Sequence, residues 1–443
     1  MTDPPAPSGV PAPRWFRYLL PFLKAPEDLS PHQWRLLGLL GITVLINHYD
    51  FGLLSAALLQ IQQELHIPED EIGSVYGLIR MGVVAAMLLA VVADRLGRRR
   101  LLLWTILGFT GSTILTAFAQ TQAQFTVLQF MARIFVTAEE LVAVVVIAEE
   151  LGARRRGFAL GILAALGSLG HGLAYIGFGF IETLPYGWRS LYLLGAAPLL
   201  FIAWIRRSLP ETRRFEQARE SRQASTGLSS GLQPLWDLVR KSPRRVAVLS
   251  LVLLPASAAM IPASSFAVKF LQESHGWAPS QIPLLTVGGG FLVFASMALT
   301  GSVADRFGRR RLLVAALLMS AGGVAVFYNS PGLVVVPGWI LMTAGLVSAD
   351  VIFGALGSEL FPTSYRTTAS GLRALLWTLG GSIGLFLEGW LYDAAGGHAS
   401  ALTCLLLLAW VAPLAVLLWI PETAGRELEE IAPDQALHSP ITD

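Results

Sequence analysis

Residues 401–420 read ALTCLLLLAWVAPLAVLLWI, an unbroken apolar run without a single charge. A helix needs about 20 such residues to span the hydrocarbon core of a bilayer, and within lipid the backbone must satisfy its own hydrogen bonds. Leu312–Phe327 is a second run of the same kind. The rest of the chain agrees: of its 443 residues 54% are hydrophobic and only 14% charged, where a soluble domain carries about 25% charged residues. Too few charges remain to coat a surface in water. The chain is therefore read as an all-α, polytopic membrane protein. Its one cysteine, Cys404, lies within an apolar run and leaves no disulfide to form inside the chain. The net charge of +2 does not point to nucleic acid, because the basic residues sit in short loops between apolar runs.

Apolar length, interrupted by charge and turn residues, predicts twelve membrane helices. They begin near Trp34, Ile72, Leu101, Phe125, Gly157, Ser190, Val246, Ile282, Leu312, Leu333, Thr367 and Ala401. The loops between them sort by charge. One side collects Arg98–Arg100, Arg154–Arg156, Arg206 through Arg245, Arg309–Arg311 and Arg366. The other holds QELHIPED, QTQAQ, LPYGWRS, QESHGWAPSQ, NSPG and DAAGGHAS, with Arg189 as its single arginine. Short basic loops stay cytoplasmic, so both termini are expected inside, with the chain multi-pass in a bacterial cytoplasmic membrane. The expected organisation is a tail at 1–32, a six-helix bundle at 33–208, a linker at 209–243, a second bundle at 244–421 and a tail at 422–443. Within the first tail, RWFRYLLPFLK (Arg14–Lys24) reads either as a segment lying on the membrane surface or as a loose tail, interrupted by Pro21.

The chain repeats itself at long range. ADRLGRRR at 93–100 returns as ADRFGRRR at 304–311, which places Asp305 211 residues after Asp94 (305 − 94). Glu149 and Arg156 return as Glu359 and Arg366 at an offset of 210 (359 − 149; 366 − 156). Pro210-Glu211-Thr212 returns as Pro421-Glu422-Thr423 at 211 (421 − 210). A period of half the protein is too long for a solenoid and fits duplication of a six-helix unit.

With these residues the chain resembles the major facilitator superfamily, whose signature G-x-x-x-D-R-x-G-R-R stands here as Gly301 through Arg310. The first copy has Ala90 in place of the leading glycine, followed by Asp94, Arg95, Gly97, Arg98 and Arg99. The two later landmarks further resemble the sugar-porter and metabolite:proton symporter branches. The resemblance implies two pseudo-symmetric six-helix bundles that rock about a central site. It also implies a cytoplasmic gate built from Asp94, Arg98, Glu149 and Arg156, with Asp305, Arg309, Glu359 and Arg366 as their second-half counterparts. Arginines that merely set topology are the competing reading.

Ionisable groups inside membrane helices are costly and point to function. Asp50, Arg133 and Arg80 lie roughly 15, 13 and 13 Å below the outer ends of their helices at about 1.5 Å per residue. They thus share a level where pairing is geometrically open. INHYDFG (Ile46–Gly52) resembles the first-helix motif of proton-coupled sugar and aromatic-acid transporters, and Arg133 resembles the fourth-helix arginine that partners its aspartate. Either Asp50 couples protonation to conformation through Arg133, or the two form a static buried pair. Asn47 and His48, within that motif, are candidate substrate contacts. Glu140 shares a helix face with Arg133, and Glu139 is turned toward a neighbouring helix. The repeat maps Glu140 onto Asp350 (350 − 140 = 210). Both are candidate substrate or proton sites, unless Arg80 takes one of them structurally. His171 and Trp377 are weighed as substrate contacts against plain packing. Glu388 and Lys269 are expected to snorkel from outer helix ends.

No phosphate-binding loop, H-E-x-x-H or cysteine–histidine cluster occurs, so neither ATP-driven pumping nor metalloenzyme chemistry is expected, and no cofactor. The leading expectation is a monomeric secondary transporter for a small polar metabolite, sugar or organic or aromatic acid, coupled to protons. Its rivals are a uniporter or efflux carrier for an organic cation or drug, and a non-transporting nutrient sensor.

Overall fold

In the computed structural model of the protein the described residues are 13–19, 26, 29–96, 98–151, 153–206, 229–361 and 365–424. Side chains are described for all of these except 14, 17, 19, 88–96, 98–100, 148, 149, 153, 154, 205, 206, 229–232, 234, 358 and 367. The regular elements of this part are helices. After a short α1 (Arg14–Leu19) come α2 (Pro31–Ala56), α3 (Leu58–Leu65), α4 (Glu69–Leu96), α5 (Arg98–Thr116), α6 (Gln122–Glu150), α7 (Ala153–Phe178) and α8 (Trp188–Arg206). An amphipathic α9 (Ser229–Lys241) leads into α10 (Pro243–His275), α11 (Ile282–Phe307), α12 (Arg309–Asn329), α13 (Val335–Glu359), α14 (Arg366–Ala395), α15 (His398–Ala409) and α16 (Val411–Trp419).

Each helix start expected from the sequence lies within four residues of an observed one. Most observed starts come earlier, because the first turn is polar and sits ahead of the apolar run. At α2 the Ser30 hydroxyl accepts from the Gln33 amide at 3.2 Å while the Gln33 side chain accepts from the Ser30 amide at 3.0 Å, a reciprocal cap that frees no buried donor. At α6 the Thr121 hydroxyl accepts from the Gln124 amide at 3.2 Å. Pro413 has no N–H for the Ala409 carbonyl, and the last apolar run divides at Trp410 into α15 and α16.

Among the described residues eight helical segments are long and apolar enough to cross a membrane: α2, α7, α10, α11, α12, α13, α14 and the α15–α16 pair. The apolar stretches of α5 and α8 are shorter, and α4 and α6, at 28 and 29 residues, carry charges along their length. Large apolar side chains stand uncovered on the outer faces, such as Leu284, Phe291 and Leu292 on α11 and Trp104 and Leu115 on α5. An apolar surface this extensive meets lipid.

Two groups of helices share one packing plan. α2 lies against α7 in the first, and α10 against α14 in the second. Both contacts need glycine: a Cβ on Gly170 would overlap the Leu45 carbonyl, and one on Gly384 the Ala258 carbonyl. The groups meet where α4 runs along α14, α7 touches α11, and α2 and α3 touch α10. The close approaches gather at the end bearing Glu69. There Gly73 faces Glu388, Gly389 faces the Asp70 carbonyl, Gly179 faces Pro283, and Gln60 Nε2 donates to Gln272 Oε1 at 2.6 Å.

The described part of the amino-terminal segment is not a loose tail. Phe16 is buried and packs on Trp34 and Phe158, with ring centroids at 5.2 and 6.0 Å. α1 is thus docked on the first group by its aromatic face; Pro21 lies outside the described residues.

Candidate functional site

Asp50 sits in the interior of α2, 5% exposed. Its carboxylate feels the charge of Arg133 on α6, and the Thr113 hydroxyl lies alongside, short of hydrogen-bond geometry. The two charges do not form a direct ion pair among the described residues. Arg133 instead lays its guanidinium over the Phe51 ring, 4.3 Å from the centroid, through the space left by Gly82, where a Cβ would crowd the Arg133 side chain at 2.9 Å. Arg80, itself buried, approaches the same ring at 5.9 Å. Phe51 thus stands beside two guanidinium groups. Neither has a carboxylate in ion-pair range among the described residues, and the Nε of each lacks a hydrogen-bond partner. Asn47, one turn before Asp50, is buried with both side-chain polar atoms unpartnered.

His48 reaches Glu140 with Nε2 3.6 Å from Oε1, and the two side chains are 42% and 38% exposed although both lie well inside long helices. Gly167 on α7 makes room for the imidazole, which a Cβ there would meet at 2.9 Å. Glu139 is buried on another face of α6, as its rotation from Glu140 requires. His171 lies between the Phe51 and Tyr175 rings, with centroids at 5.7 and 5.6 Å. In the second group Asp350 Oδ1 accepts from Arg373 Nη1 at 2.7 Å, with Asp350 55% exposed. Trp377, one turn beyond Arg373 on α14, packs on Phe353 at 5.8 Å. Arg80 takes neither Glu140 nor Asp350: His48 and Arg373 do.

Sequence reasoning passed over Phe51 and Arg373. The signal for Arg373 was present, an arginine two turns into an apolar helix. It also misjudged Glu388 and Lys269, which do not snorkel. They are 0% and 1% exposed and belong to an ion cluster with Glu69 and His398.

At the opposite end, Arg309 pairs with Glu359 and, at 3.1 Å, with Asp305. Glu422 of the Pro-Glu-Thr landmark accepts from the Arg309 amide at 2.7 Å, and so caps α12 where Gly308 turns with φ of 99°. Arg366 opens α14, half-buried, with its Nε unpartnered, and Arg156 is half-buried on α7. The side chains of Asp94, Arg98 and Glu149 lie outside the described residues.

The sequence matches the family model described as Major Facilitator Superfamily over residues 40–267 and 256–441. The chain belongs to the Major Facilitator Superfamily. It is a transporter, not an enzyme. It is 30% identical over 384 residues to the probable 4-methylmuconolactone transporter of Cupriavidus pinatubonensis, covering 81% of this chain and 85% of that one. The putative niacin/nicotinamide transporter NiaP of Bacillus subtilis is 26% identical, with 90% and 98% covered. The 4-hydroxybenzoate transporter PcaK of Pseudomonas putida is 24% identical, with 88% and 93% covered. Among solved superfamily structures, the fold is like that of the inward-open xylose transporter XylE from E. coli (TM-score 0.70, 18% identity, 90% of this chain and 98% of that one).

Proposed function

We propose that the protein is a proton-coupled symporter for a small organic acid, preferentially an aromatic one. In this reading twelve helices form bundles at 33–208 and 244–421, both termini are cytoplasmic, and the bundles alternate access to a central site. The observation that carries it is the pair of guanidinium groups beside Phe51. Arg80 and Arg133 are inside the membrane without a bonded carboxylate, whereas Glu140 and Asp350 already have His48 and Arg373. A planar acid fits such surroundings: its carboxylate takes a guanidinium fork and its ring lies on Phe51. A cation carrier needs a free acid at the substrate, and in this reading Asp50 is given to the proton while Glu140 and Asp350 are taken. The names of the relatives, transporters of muconolactone, niacin and 4-hydroxybenzoate, support the same chemical class.

In this scheme Asp50 carries the proton and Arg133 couples it. Arg133 is drawn toward the substrate carboxylate, its hold on Asp50 weakens, and the buried carboxylate takes a proton. Asn47, His48, Glu140, His171, Asp350, Arg373 and Trp377 line the route. The Arg98 end closes through Asp94, Arg98, Glu149 and Arg156 and their counterparts Asp305, Arg309, Glu359 and Arg366. The test is uptake of 4-hydroxybenzoate, cis,cis-muconate and nicotinate into proteoliposomes under an inward proton gradient. At least one accumulates above its external concentration, and Asp50→Asn exchanges it across the membrane without accumulating it. Unchanged accumulation by Asp50→Asn, or uptake of organic cations alone, rejects the reading.

A further inference from the structure

His398 opens α15, and its imidazole lies between two carboxylates from different parts of the fold. Nδ1 is 2.5 Å from Glu388 Oε1 on α14, and Nε2 is 2.8 Å from Glu69 Oε2 on α4. Glu388 is fully buried and its Oε2 has no hydrogen-bond partner. That oxygen faces Gly73 of α4, where a Cβ would meet it at 2.5 Å. From α10, Lys269 brings Nζ to 3.0 Å from Glu69 Oε2 and 2.6 Å from Glu273 Oε1. The Phe266 and Tyr392 rings flank the imidazole at 4.7 and 4.5 Å, and Tyr328 of α12 is within reach of the Glu388 charge. Of all these groups only Glu69 and Gly73 belong to the first bundle. The cluster ties the two bundles together.

Its protons can be counted. An ionised carboxylate only accepts hydrogen bonds, and a neutral imidazole carries one N–H. Two bonds from one ring to two carboxylates therefore require two protons among the three groups. They are shared as imidazolium with two carboxylates, or as neutral imidazole with one carboxylate and one carboxylic acid. Both arrangements hold one proton more than a neutral imidazole beside two carboxylates. When α4 parts from α14, Glu69 leaves with it, and a neutral imidazole satisfies Glu388 with its single N–H. With the extra proton the closed cluster sets Glu69, Glu273 and Glu388 against Lys269 and His398. Without it three carboxylates face one cation, and one of the three, Glu388, is fully buried, where an unpaired charge is costly.

We infer that this cluster is a proton-binding latch: closing the Glu69 end takes up one proton, and opening that end returns it to the same side. The proton does not cross the membrane. It sets which conformation is populated, not the driving force for transport. The inference rests on the alternating-access part of the proposed function and is independent of Asp50.

The test uses the full chain in proteoliposomes with Asp50→Asn and Cys404→Ser. Spin labels go on Gln63→Cys and Ser274→Cys, exposed positions of α3 and α10 at this end. Distances are read between about pH 5.5 and about pH 8.5, the range in which histidine ordinarily changes charge. The short distance dominates at acid pH, and the ratio of parted to closed molecules rises by up to about tenfold per pH unit, as one linked proton requires. Glu388→Gln removes that slope while keeping the short distance, because the amide donates to Nδ1 while Nε2–H serves Glu69. Glu69→Gln keeps the slope, because Lys269 and His398 meet the same oxygen of Glu69 and hold the amide oxygen toward them. A flat ratio in the parent, or a slope that survives Glu388→Gln, overturns the latch. A single distance at every pH instead overturns alternating access itself.

Discussion

Arg133 and Phe51 act as one unit in the proposed site, because the guanidinium carbon lies over the ring, 4.3 Å from its centroid. A lysine keeps the charge but neither the planar fork nor the stacking. Arg133→Lys is therefore expected to raise the KM for an aromatic acid by about tenfold, the size of one lost bidentate bond. Phe51→Leu should raise KM several-fold for 4-hydroxybenzoate and leave cis,cis-muconate unchanged, since only the former has a ring to stack. Uptake kinetics on both substrates separate the two effects, and equal losses on both would remove Phe51 from recognition. Which charges stand within long helices was legible from the sequence, since Asp50, Arg80, Arg133, Glu140 and Asp350 interrupt apolar runs. Their partners were not. Depth follows from counting residues, but rotation and side-chain reach depend on neighbours far away in the chain, as with Glu140 and His48 (140 − 48 = 92). Lys269 and Glu388 show the limit most clearly: a position near a helix end reads as snorkelling until a carboxylate from the other bundle is seen beside it.

The starts of the long helices were readable, because apolar length and loop charge leave few alternatives in lipid, while the short α1, α3 and α9 and the break at Trp410 were not. The Pro-Glu-Thr landmark was readable only as a repeat, and its second copy acquires a purpose in the fold. Glu422 satisfies the first amides of α12, at 2.7 Å for Arg309 and 3.4 Å for Arg310. Glu422→Ala is expected to destabilise the second bundle by about 1 kcal/mol, the usual cost of losing a cap, without altering substrate affinity. Gly384→Ala acts on a different contact. Its Cβ would overlap the Ala258 carbonyl, so α10 and α14 must separate, at a cost of about 1–3 kcal/mol for overpacking. Thermal unfolding in detergent measures both. No loss in Gly384→Ala would mean that the helices have slack which their backbone contact does not suggest.

The distribution of contacts between the bundles determines how the whole molecule stands. Gly73, Gln60, Gly179 and Glu69 meet their partners at one end, and the mid-helix side chains of His48, Glu140 and Asp350 nonetheless remain exposed. In the proposed scheme, a site exposed in its middle and closed at the Glu69 end opens toward the other end, where the arginine-rich loops lie. Gly354 offers a place to test this. It is exposed, a Cβ there meets nothing within 4 Å, and it stands one turn from Asp350 on the same face of α13. Gly354→Cys in a Cys404→Ser background should react with a membrane-impermeant thiol reagent supplied from the Arg98 side. It should be protected from the Glu69 side at acid pH. Raising the pH, by releasing the latch, should shift reactivity toward the Glu69 side, and substrate should slow labelling from either side. Equal labelling from both sides at all pH values would mean a pore, which two bundles closing alternately over one site do not form.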